Sequence, residues 1–237
     1  MTYQTEDQRW AATGDRNADG AFYFAVRTTG VYCLPSCSGR PLRKNVTFYD
    51  TAEQARAAGY RACLRCKPDM PREPLRWGTV QTDLGLALAA VSEAGLRVVT
   101  LGDDEAELAA DLGRRFPKAR LARDEAGLAD TLAAVKGLIA QPGRSWDLPL
   151  DERGSDLQQA VWKALRDIPA GRTASYAEVA RAIGRPTAFR AVAQACGANP
   201  LAVVTPCHRV VASDGRLSGY RWGVERKRAL LEREAAA

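Results

Sequence analysis

A cysteine and a histidine stand side by side in the stretch VVTPCHRVV, residues 203–211, and this histidine is the only one in the chain. An imidazole next to a thiol can take its proton, which would make Cys207 a nucleophile and His208 its base. The residues also allow a plainer interpretation, in which Cys207 is a small buried hydrophobe beside an unrelated histidine. Pro206 interrupts the apolar run, and we therefore expect a β-strand that is broken to present the thiol. Cys196 lies among Ala, Val and Gly, and we assign it to packing.

Four further cysteines form two close pairs, Cys33 with Cys37 and Cys63 with Cys66, and 25 residues separate the pairs. Two such pairs joined by a loop can converge on one tetrahedral ion, and four thiolates complete the coordination of one Zn²⁺. The spacing leaves two roles open. The zinc either staples a small domain, or it holds a cluster of net charge about −2 whose sulfur can attack an electrophilic carbon.

Short sequence patterns predict the elements that must carry these residues. Residues 21–33, AFYFAVRTTGVYC, predict two strands around a Thr-Thr-Gly turn, and residues 51–60, TAEQARAAGY, predict a helix capped by Thr51 and closed by Gly59. Three prolines between residues 67 and 75 indicate a linker. The next stretch predicts three strands and then two helices, with the sequences WGTVQTD, LGLALAAVS, GLRVVTLGD, DDEAELAADLGRRF and DEAGLADTLAAVKGLIA.

Short helices are predicted for the remaining part of the chain. Ser155 and Ser175 each begin a helix with Gln or Glu three residues later, which is the spacing of a capping box. A third helix follows in AFRAVAQACGANP, after the turn RPT. Two short helices joined by a tight turn are typical of a helix-turn-helix, so we expect the third helix to lie against DNA with Arg190 near its start.

Charge is unevenly distributed along the chain. The net charge is +3 over residues 1–75 (11 Lys and Arg against 8 Asp and Glu), −3 over 76–153 (10 against 13) and +6 over 154–237 (13 against 7). Two basic segments around an acidic one suit a polyanion such as nucleic acid. The sequence has no apolar run near the roughly 20 residues that cross a bilayer and no secretion-signal pattern at its start. In a reducing compartment, cysteines are more often metal ligands or nucleophiles than members of disulfides. We therefore expect a cytoplasmic monomer without a membrane partner.

The segment VVTPCHRVV, preceded by NP and followed by DGRLSGYRWG, resembles the active-site signature of the DNA-alkyltransferase family, which repairs O6-alkylguanine. The resemblance implies irreversible alkyl transfer to Cys207, with O4-alkylthymine as a further candidate substrate. It also implies that His208 removes the thiol proton through a water and is oriented by Glu234. Three more positions match the family: Tyr176 hydrogen-bonds the departing guanine, Arg190 replaces the extruded base in the stack, and Asn199 braces the active-site turn.

The first segment, FAVRTTGVYCLPSC through GYRACLRC, resembles the amino-terminal zinc domain of bacterial Ada-type proteins. The resemblance implies that zinc-bound Cys33 accepts methyl groups from DNA phosphotriesters, and that Cys37, Cys63 and Cys66 complete the site. A neutral phosphotriester suits an anionic cluster, which would repel an ordinary phosphodiester. The positions that match contacts to the DNA backbone are Thr29, Arg40 and Arg61.

Together the two resemblances imply an α+β multi-domain protein. They predict an Ada-type zinc domain over residues 1–70, a linker over 71–76, a ribonuclease-H-like α+β subdomain over 77–150, and a helical, winged-helix-like alkyltransferase domain over 151–237. The sequence departs from the Ada pattern in lacking an AraC-type helix-turn-helix region between the zinc domain and the alkyltransferase. This departure favours a single-turnover repair enzyme that has two acceptor cysteines and acts on double-stranded DNA. A methylation-sensing transcriptional regulator and a cysteine hydrolase remain as alternatives.

Overall fold

The computed structural model describes residues 3–70, 72–217 and 219–236. The chain divides into two compact units, the first formed by Met1–Leu75 with Gly113–Arg123 and the second by Arg76–Leu112 with Asp124–Ala237. Among the described residues, no helix combines the length and the apolar character that a membrane crossing requires.

The first unit contains two short helices and a small sheet. Residues 3–70 contribute to it, in chain order, α1 (Glu6–Ala11), β1 (Tyr23–Val26), β2 (Val31–Cys33), β3 (Val46–Tyr49), α2 (Ala52–Ala57) and β4 (Arg61–Ala62). The strand order is β3-β1-β2-β4, with antiparallel pairing except between β2 and β4. The strand pair predicted over 21–33 and the helix predicted over 51–60 are confirmed.

Local sequence explains the ends of these elements. Gly30 has a φ of 63° in the turn between β1 and β2, a left-handed conformation that glycine adopts at little cost. The Thr51 side chain accepts the Gln54 N–H, and the Gln54 side chain accepts the Thr51 N–H, so α2 begins with a capping box. Cys33 and Cys37 belong to the hydrophobic core of this unit. Two of the four predicted metal ligands are therefore part of the packing itself.

The central part of the chain forms a second sheet and two helices. Its elements are β5 (Pro74–Thr82), β6 (Gly85–Ser92), β7 (Gly95–Gly102), α3 (Glu105–Arg115), β8 (Arg120–Arg123) and α4 (Ala129–Ala140). The strand order is β7-β6-β5-β8, and β5, β6 and β7 pair antiparallel. The three predicted strands and two predicted helices are confirmed. The apolar positions of the second helix are all buried: Leu128, Leu132, Val135 and Ile139.

Three details of this region differ from the expectation. Within the linker predicted for 71–76, Pro71 lies outside the described residues, and residues 74–76 already belong to β5 because proline is tolerated at the first position of a strand. The strand β8 was not predicted, since its sequence RLAR buries only Leu121 and its arginines hide the strand pattern. The helix α4 begins at Ala129 rather than at residue 124, because Asp124 accepts the Gly127 N–H in a preceding turn.

The remaining elements are mainly helical. They are α5 (Asp156–Arg166), β9 (Ala174–Ser175), α6 (Tyr176–Ala182), α7 (Phe189–Gly197), β10 (Val210–Val211) and α8 (Val224–Ala235). The capping boxes predicted at Ser155 and Ser175 are both present. The predicted succession of two short helices, α6 and α7, is confirmed, whereas α8 was not predicted.

The broken strand expected over residues 203–211 is only partly correct. Residues 210–211 form the short strand β10, which pairs parallel to β9. Cys207–Arg209 instead form one turn of 3-10 helix, in which the Arg209 N–H donates to the Pro206 carbonyl at 3.0 Å. Proline has no N–H for a strand ladder and a fixed φ that suits a turn, so the chain turns at the point where the pattern indicated a break.

One hydrophobic core in the second unit joins β6 and β7 to helices α4 to α8, and Cys207 belongs to it. The strand β7 also pairs with the segment before Cys207. The Val99 N–H donates to the Pro200 carbonyl at 2.9 Å, and the Ala202 N–H donates to the Val99 carbonyl at 3.0 Å. The sheet thereby positions the chain that leads to the candidate nucleophile.

The buried carboxylate of Asp151 generates a prediction about stability. It accepts hydrogen bonds from Ser92 and Arg153 and lies 3.7 Å from Arg97. Burial raises the pKa of Asp151, but these contacts outweigh burial and bring the pKa below its ordinary value. The carboxylate therefore stabilises the fold above the unfolded-state pKa, and this stabilisation is lost as the pH falls through the folded-state pKa. We expect Asp151→Asn to lower the free energy of unfolding at pH 7 by about 1–3 kcal/mol.

Urea denaturation followed by tryptophan fluorescence measures this effect, because four of the five tryptophans lie in the second unit. The control is Asp147→Asn, at an exposed position of the same segment. The difference between wild type and Asp151→Asn should shrink as the pH falls below the ordinary aspartate pKa. A difference that stays constant in acid would contradict the assignment.

Candidate active site and metal centre

Asn199 holds the turn that leads to Cys207. It follows α7 closely and is fully buried. Its Nδ2 donates to the carbonyl oxygens of Thr205 at 2.7 Å and Leu201 at 3.3 Å, and it lies 3.2 Å from Cys207 Sγ. Its Oδ1 accepts the Leu201 N–H at 2.9 Å. One amide thus bonds both ends of the turn and contacts the sulfur, a set of bonds that a carboxylate cannot make because it has no hydrogen to donate.

The same turn is strained at Val203, whose φ of 67° is rare for a β-branched residue. Thr205 fixes the turn from the other side: its hydroxyl donates to Glu152 at 2.8 Å and accepts from Arg166 at 3.0 Å. Such backbone strain costs about 1–3 kcal/mol and persists only where the surroundings enforce it. Burial of Val203 and the bonds to Thr205 provide that enforcement, so the position of Cys207 is tightly defined.

Glu234 on α8 is the partner of His208. Its Oε1 lies 2.8 Å from His208 Nε2, and both side chains are fully buried. Arg209 Nε donates to both carboxylate oxygens at 3.1 Å, and the Gly171 N–H donates to Oε2 at 3.2 Å. A carboxylate removed from water needs such partners to remain ionised. The arrangement therefore gives His208 a fixed, charged partner in the interior.

The protonation state of this group follows from its surroundings. Burial raises the pKa of Glu234, but hydrogen bonds from His208 and Arg209 outweigh it and lower the pKa to about 2. Glu234 is therefore an acceptor, and the hydrogen between the two residues sits on His208 Nε2. Burial lowers the pKa of His208 despite the carboxylate, so the imidazole is neutral at pH 7.

The other ring nitrogen of His208, Nδ1, is buried and has no hydrogen-bond partner among residues 3–70, 72–217 and 219–236. Because Nε2 carries the hydrogen, Nδ1 keeps an uncommitted lone pair. A neutral imidazole with a free lone pair can accept a proton from a neighbouring acid. The nearest acid along the chain is the adjacent thiol of Cys207.

Burial raises the pKa of the Cys207 thiol to about 11, although the Asn199 side chain and the positive charge of Lys227 act in the opposite direction. The sulfur is therefore a protonated, weakly reactive thiol at neutral pH. Lys227 is buried and donates to the Val210 carbonyl. Its charge favours the thiolate once a base has removed the proton. Cys196, predicted to be a packing residue, is buried in the same core.

The two other residues predicted for the alkyltransferase site lie on the helix pair. Tyr176 is the first residue of α6, and its half-buried side chain packs against the core that contains Cys207. Arg190 is exposed on the first turn of α7, with its guanidinium 5.8 Å from the ring centre of Phe189. Phe189 as a whole is 48% exposed. An exposed ring beside an exposed cation suits stacking against nucleobases.

The four cysteines of the first unit converge as predicted, with sulfurs that all lie within 4.8 Å of one another. A tetrahedral zinc with bonds of about 2.3 Å requires sulfurs about 3.8 Å apart, so small adjustments of the side chains admit the ion. Hydrogen bonds from Cys33 and Cys66 lower the pKa of Cys37, whereas the hydrogen bond with Cys37 raises the pKa of Cys33 and the pKa of Cys66 is also raised. Without an ion, the cluster therefore favours a single thiolate at Cys37. An all-sulfur donor set fits zinc and excludes magnesium or calcium. The residues that would hold one zinc are therefore Cys33, Cys37, Cys63 and Cys66.

The predicted backbone contacts of the first unit are exposed. Thr29 lies in the turn between β1 and β2, and the Arg61 N–H donates to the carbonyl of the adjacent Gly30 at 3.0 Å. These two residues therefore lie at the same end of the sheet. Arg40 lies on the loop after Cys37, and its guanidinium is close to Gly14.

Sequence reasoning missed Arg209, Lys227 and Thr205. The role of Arg209 could have been predicted, because it directly follows His208 and a buried carboxylate such as Glu234 beside a histidine needs a further hydrogen-bond donor. The role of Lys227 could not have been predicted, because it stands between Arg226 and Arg228 in a charged stretch and only the fold buries it.

Comparisons with known proteins agree with this geometry. The family model described as 6-O-methylguanine DNA methyltransferase, DNA binding domain, matches residues 156–236, and the model described as metal binding domain of Ada matches residues 8–69. The bifunctional transcriptional activator/DNA repair enzyme Ada of Escherichia coli is 35% identical over 345 aligned positions, which span 99% of this chain and 98% of that protein. A methylated-DNA–protein-cysteine methyltransferase of Mycobacterium bovis is 57% identical over 89 residues, covering 38% of this chain and 54% of that protein.

A crystal structure of Mycobacterium tuberculosis OGT in complex with DNA matches with a TM-score of 0.56 and 36% identity, covering 68% of this chain and 93% of that chain. The alignment with the Escherichia coli protein is longer than the 237 residues of this chain, so it passes over parts of that protein that have no counterpart here. No AraC-type region is visible in the sequence.

These matches establish a DNA-binding protein that repairs DNA by methyl transfer to its own cysteine and binds one zinc ion through four cysteines. The same matches leave no support for a cysteine hydrolase. The chain belongs to the Ada family, as a methylated-DNA–protein-cysteine methyltransferase that also carries the Ada metal-binding domain.

Proposed function

We propose that the chain has two sacrificial acceptors, Cys207 for the alkyl group of O6-alkylguanine and Cys33 for the methyl group of DNA phosphotriesters. O4-alkylthymine is a further substrate of Cys207 under this proposal. The observation that carries it is the buried thiol of Cys207 in contact with Asn199, together with the neutral imidazole of the next residue, whose Nε2 is hydrogen-bonded to Glu234.

The reaction at Cys207 balances without a cofactor. His208 Nδ1 accepts the thiol proton through a water, and the thiolate attacks the carbon attached to guanine O6. A C–S bond forms, the C–O bond breaks, and the electron pair of that bond stays with the guanine, which takes up a proton from the site. Tyr176 hydrogen-bonds the guanine as it becomes the leaving group. The thioether product is stable, so each molecule acts once.

Burial of the site explains why the thiol stays intact before it meets damaged DNA. With a pKa of about 11, Cys207 is protonated at rest, and it becomes nucleophilic only when His208 removes the proton. The charged product of this transfer, imidazolium beside Glu234, is stabilised because Glu234 is already ionised. The buried charge of Lys227 stabilises the thiolate in the same way.

A target base reaches this buried site only by leaving the duplex. Arg190, exposed on α7 beside Phe189, is proposed to enter the base stack in place of the extruded nucleotide. The position of α7 after a tight turn supports a helix-turn-helix mode of DNA contact. For this half we propose a ribonuclease-H-like subdomain over 77–150 and a winged-helix-like domain over 151–237, following the zinc domain over 1–70.

At the metal centre, a bound zinc would keep the sulfurs of Cys33, Cys37, Cys63 and Cys66 deprotonated as electron-rich thiolates, and Cys33 is the proposed acceptor among them. Its sulfur takes the methyl carbon, the C–O bond of the phosphotriester breaks, and the phosphodiester leaves with the electron pair. The acceptor loses one negative charge, so affinity for DNA rises after methylation. Thr29, Arg40 and Arg61 are proposed to contact the DNA backbone.

None of the six cysteines, which all lie in the described part of the chain, forms a disulfide. This supports placing the protein in a reducing compartment, and we propose a cytoplasmic monomer. Methylation of Cys33 could also serve as a signal that changes DNA binding. That regulatory role is secondary, because no AraC-type region is visible between the two modules.

Labelling of the two acceptors is the direct test of their assignment. The protein is incubated with duplex DNA that carries one labelled methyl group, either on guanine O6 or on a phosphotriester, and the labelled peptide is identified by mass spectrometry. We expect Cys207→Ala to abolish transfer from O6-methylguanine and to leave phosphotriester transfer intact, with the opposite result for Cys33→Ala. Label on neither cysteine in wild type would refute the proposal.

The pH dependence of methylation at Cys207 tests the role of His208. Because the pKa of His208 is lowered below its ordinary value near 6.5, we expect the single-turnover rate to be constant between pH 7 and 9 and to fall only below that lowered pKa. His208→Gln should slow the reaction by about 10²–10⁴-fold and make the remaining rate rise with pH. A tenfold rise per pH unit in wild type between pH 7 and 9 would mean that the thiol ionises without His208.

Zinc removal tests the independence of the metal centre. We expect one zinc per chain, and we expect a chelator to unfold the first unit, because zinc binding by four thiolates is coupled to folding. Limited proteolysis should then cut the segment before residue 75, whereas methylation of Cys207 continues at an unchanged rate. Loss of Cys207 methylation on chelation would show that the two sites depend on one another.

A further inference from the structure

A basic pocket lies beside the cysteine cluster, and its lining comes entirely from the first unit. Its volume is about 440 Å³, and both Cys37 and Cys66 contribute to its wall. Five cationic side chains line it: Arg16, Arg65, Lys67, Arg72 and Lys118. Among the described residues that line it, none is acidic. The pocket therefore combines a high positive charge with direct access to the metal ligands.

Two of these cations are built into the fold. Arg16 Nη1 donates to the Gly113 carbonyl at 2.7 Å. Arg72 Nη2 donates to the Cys66 carbonyl at 3.0 Å, and Nη1 lies 3.5 Å from Asp19, whose side chain is fully buried. The pocket wall is thus held in place by backbone and by one buried ion pair, so it is not an accidental meeting of mobile side chains.

The other three cations, Arg65, Lys67 and Lys118, are exposed. Lys67 is unusual because its φ is 46°, in the left-handed region that favours glycine or asparagine. Its N–H donates to the Cys63 carbonyl at 2.8 Å and closes the loop of the second cysteine pair. Glycine would make the same bond with less strain. The turn therefore does not explain why this position holds a lysine. A negatively charged ligand in the pocket would explain it.

The remaining wall extends beyond the metal-binding domain. Lys118 lies between the segments matched by the two family models, which cover residues 8–69 and 156–236. The part of the wall formed by Met70, Arg72, Pro117 and Lys118 therefore lies outside both family models, whereas the other lining residues lie within the metal-binding model.

We propose that this pocket binds a phosphodiester of the DNA backbone, next to the phosphotriester that Cys33 acts on. The proposal rests on the proposed function of Cys33 and explains how DNA can approach an anionic cluster. With zinc bound, the cluster carries a charge of about −2 and repels the anionic phosphates that flank a neutral triester. A row of cations on the wall of the cluster attracts one flanking phosphate and thereby places the triester at the sulfur.

The test is the binding of the zinc-loaded full chain to an undamaged duplex, measured by fluorescence anisotropy over a range of salt concentrations. The variant Lys67→Gly with Lys118→Ala removes two pocket charges and leaves the left-handed turn satisfied. Loss of one phosphate contact should weaken binding by about five- to tenfold at 0.1 M salt and reduce the slope of log K against log salt by about 0.9. The control, Lys44→Ala with Lys136→Ala, removes two exposed charges that do not line the pocket and should change affinity less than twofold.

Equal affinities and equal salt slopes for the two double variants would overturn the proposal. A titration of the wild-type protein with inorganic phosphate, followed by the amide NMR signals of Ser38 and Lys67, tests whether the ligand of the pocket is DNA or a free anion. Saturation by submillimolar phosphate without any loss of duplex binding in the pocket variant would assign the pocket to a free anion and also overturn the proposal. Neither measurement depends on methyl transfer to Cys33. A failure of that transfer would refute Cys33 as the acceptor and would leave the binding result unchanged.

Discussion

The carboxylate of Glu234 is the interaction on which the active site depends. It is fully buried, yet it remains ionised because His208, Arg209 and the Gly171 N–H all donate to it. This one group fixes the tautomer of the histidine, neutralises an arginine, and joins α8 to the turn that carries Cys207. Without it, the imidazole would have no reason to place its hydrogen on Nε2, and Nδ1 would lose its value as a base.

A second constraint acts on the sulfur from the other side of the turn. Asn199 bonds the backbone of the turn and approaches Sγ, while β7 binds the chain at Pro200 and Ala202. The acidic central segment contains none of the proposed catalytic residues, but its strand supports the site. The sheet and Asn199 therefore fix the position of Cys207, and His208 with Glu234 provides its reactivity.

The sequence allowed prediction wherever local chemistry is decisive. The capping boxes at Ser155 and Ser175, the helix at 51–60 and the convergence of four cysteines all follow from residues within one or two turns of each other or from ligand chemistry. Other features depend on long-range packing and had no such signal. Lys227 looks like any lysine of a charged helix until the fold buries it, and Val203 gives no hint of a left-handed conformation. The helix α1 and the edge strand β8 are short and carry charged residues, so their patterns are weak.

The central claim is that His208 is a neutral base with its hydrogen on Nε2 and a free lone pair on Nδ1. Because the chain contains one histidine, ¹⁵N NMR of uniformly labelled protein resolves its two ring nitrogens without ambiguity. At pH 7 we expect a pyrrole-type signal with a bound hydrogen for Nε2 and a pyridine-type signal for Nδ1. Two protonated nitrogens, or a hydrogen on Nδ1, would contradict the account.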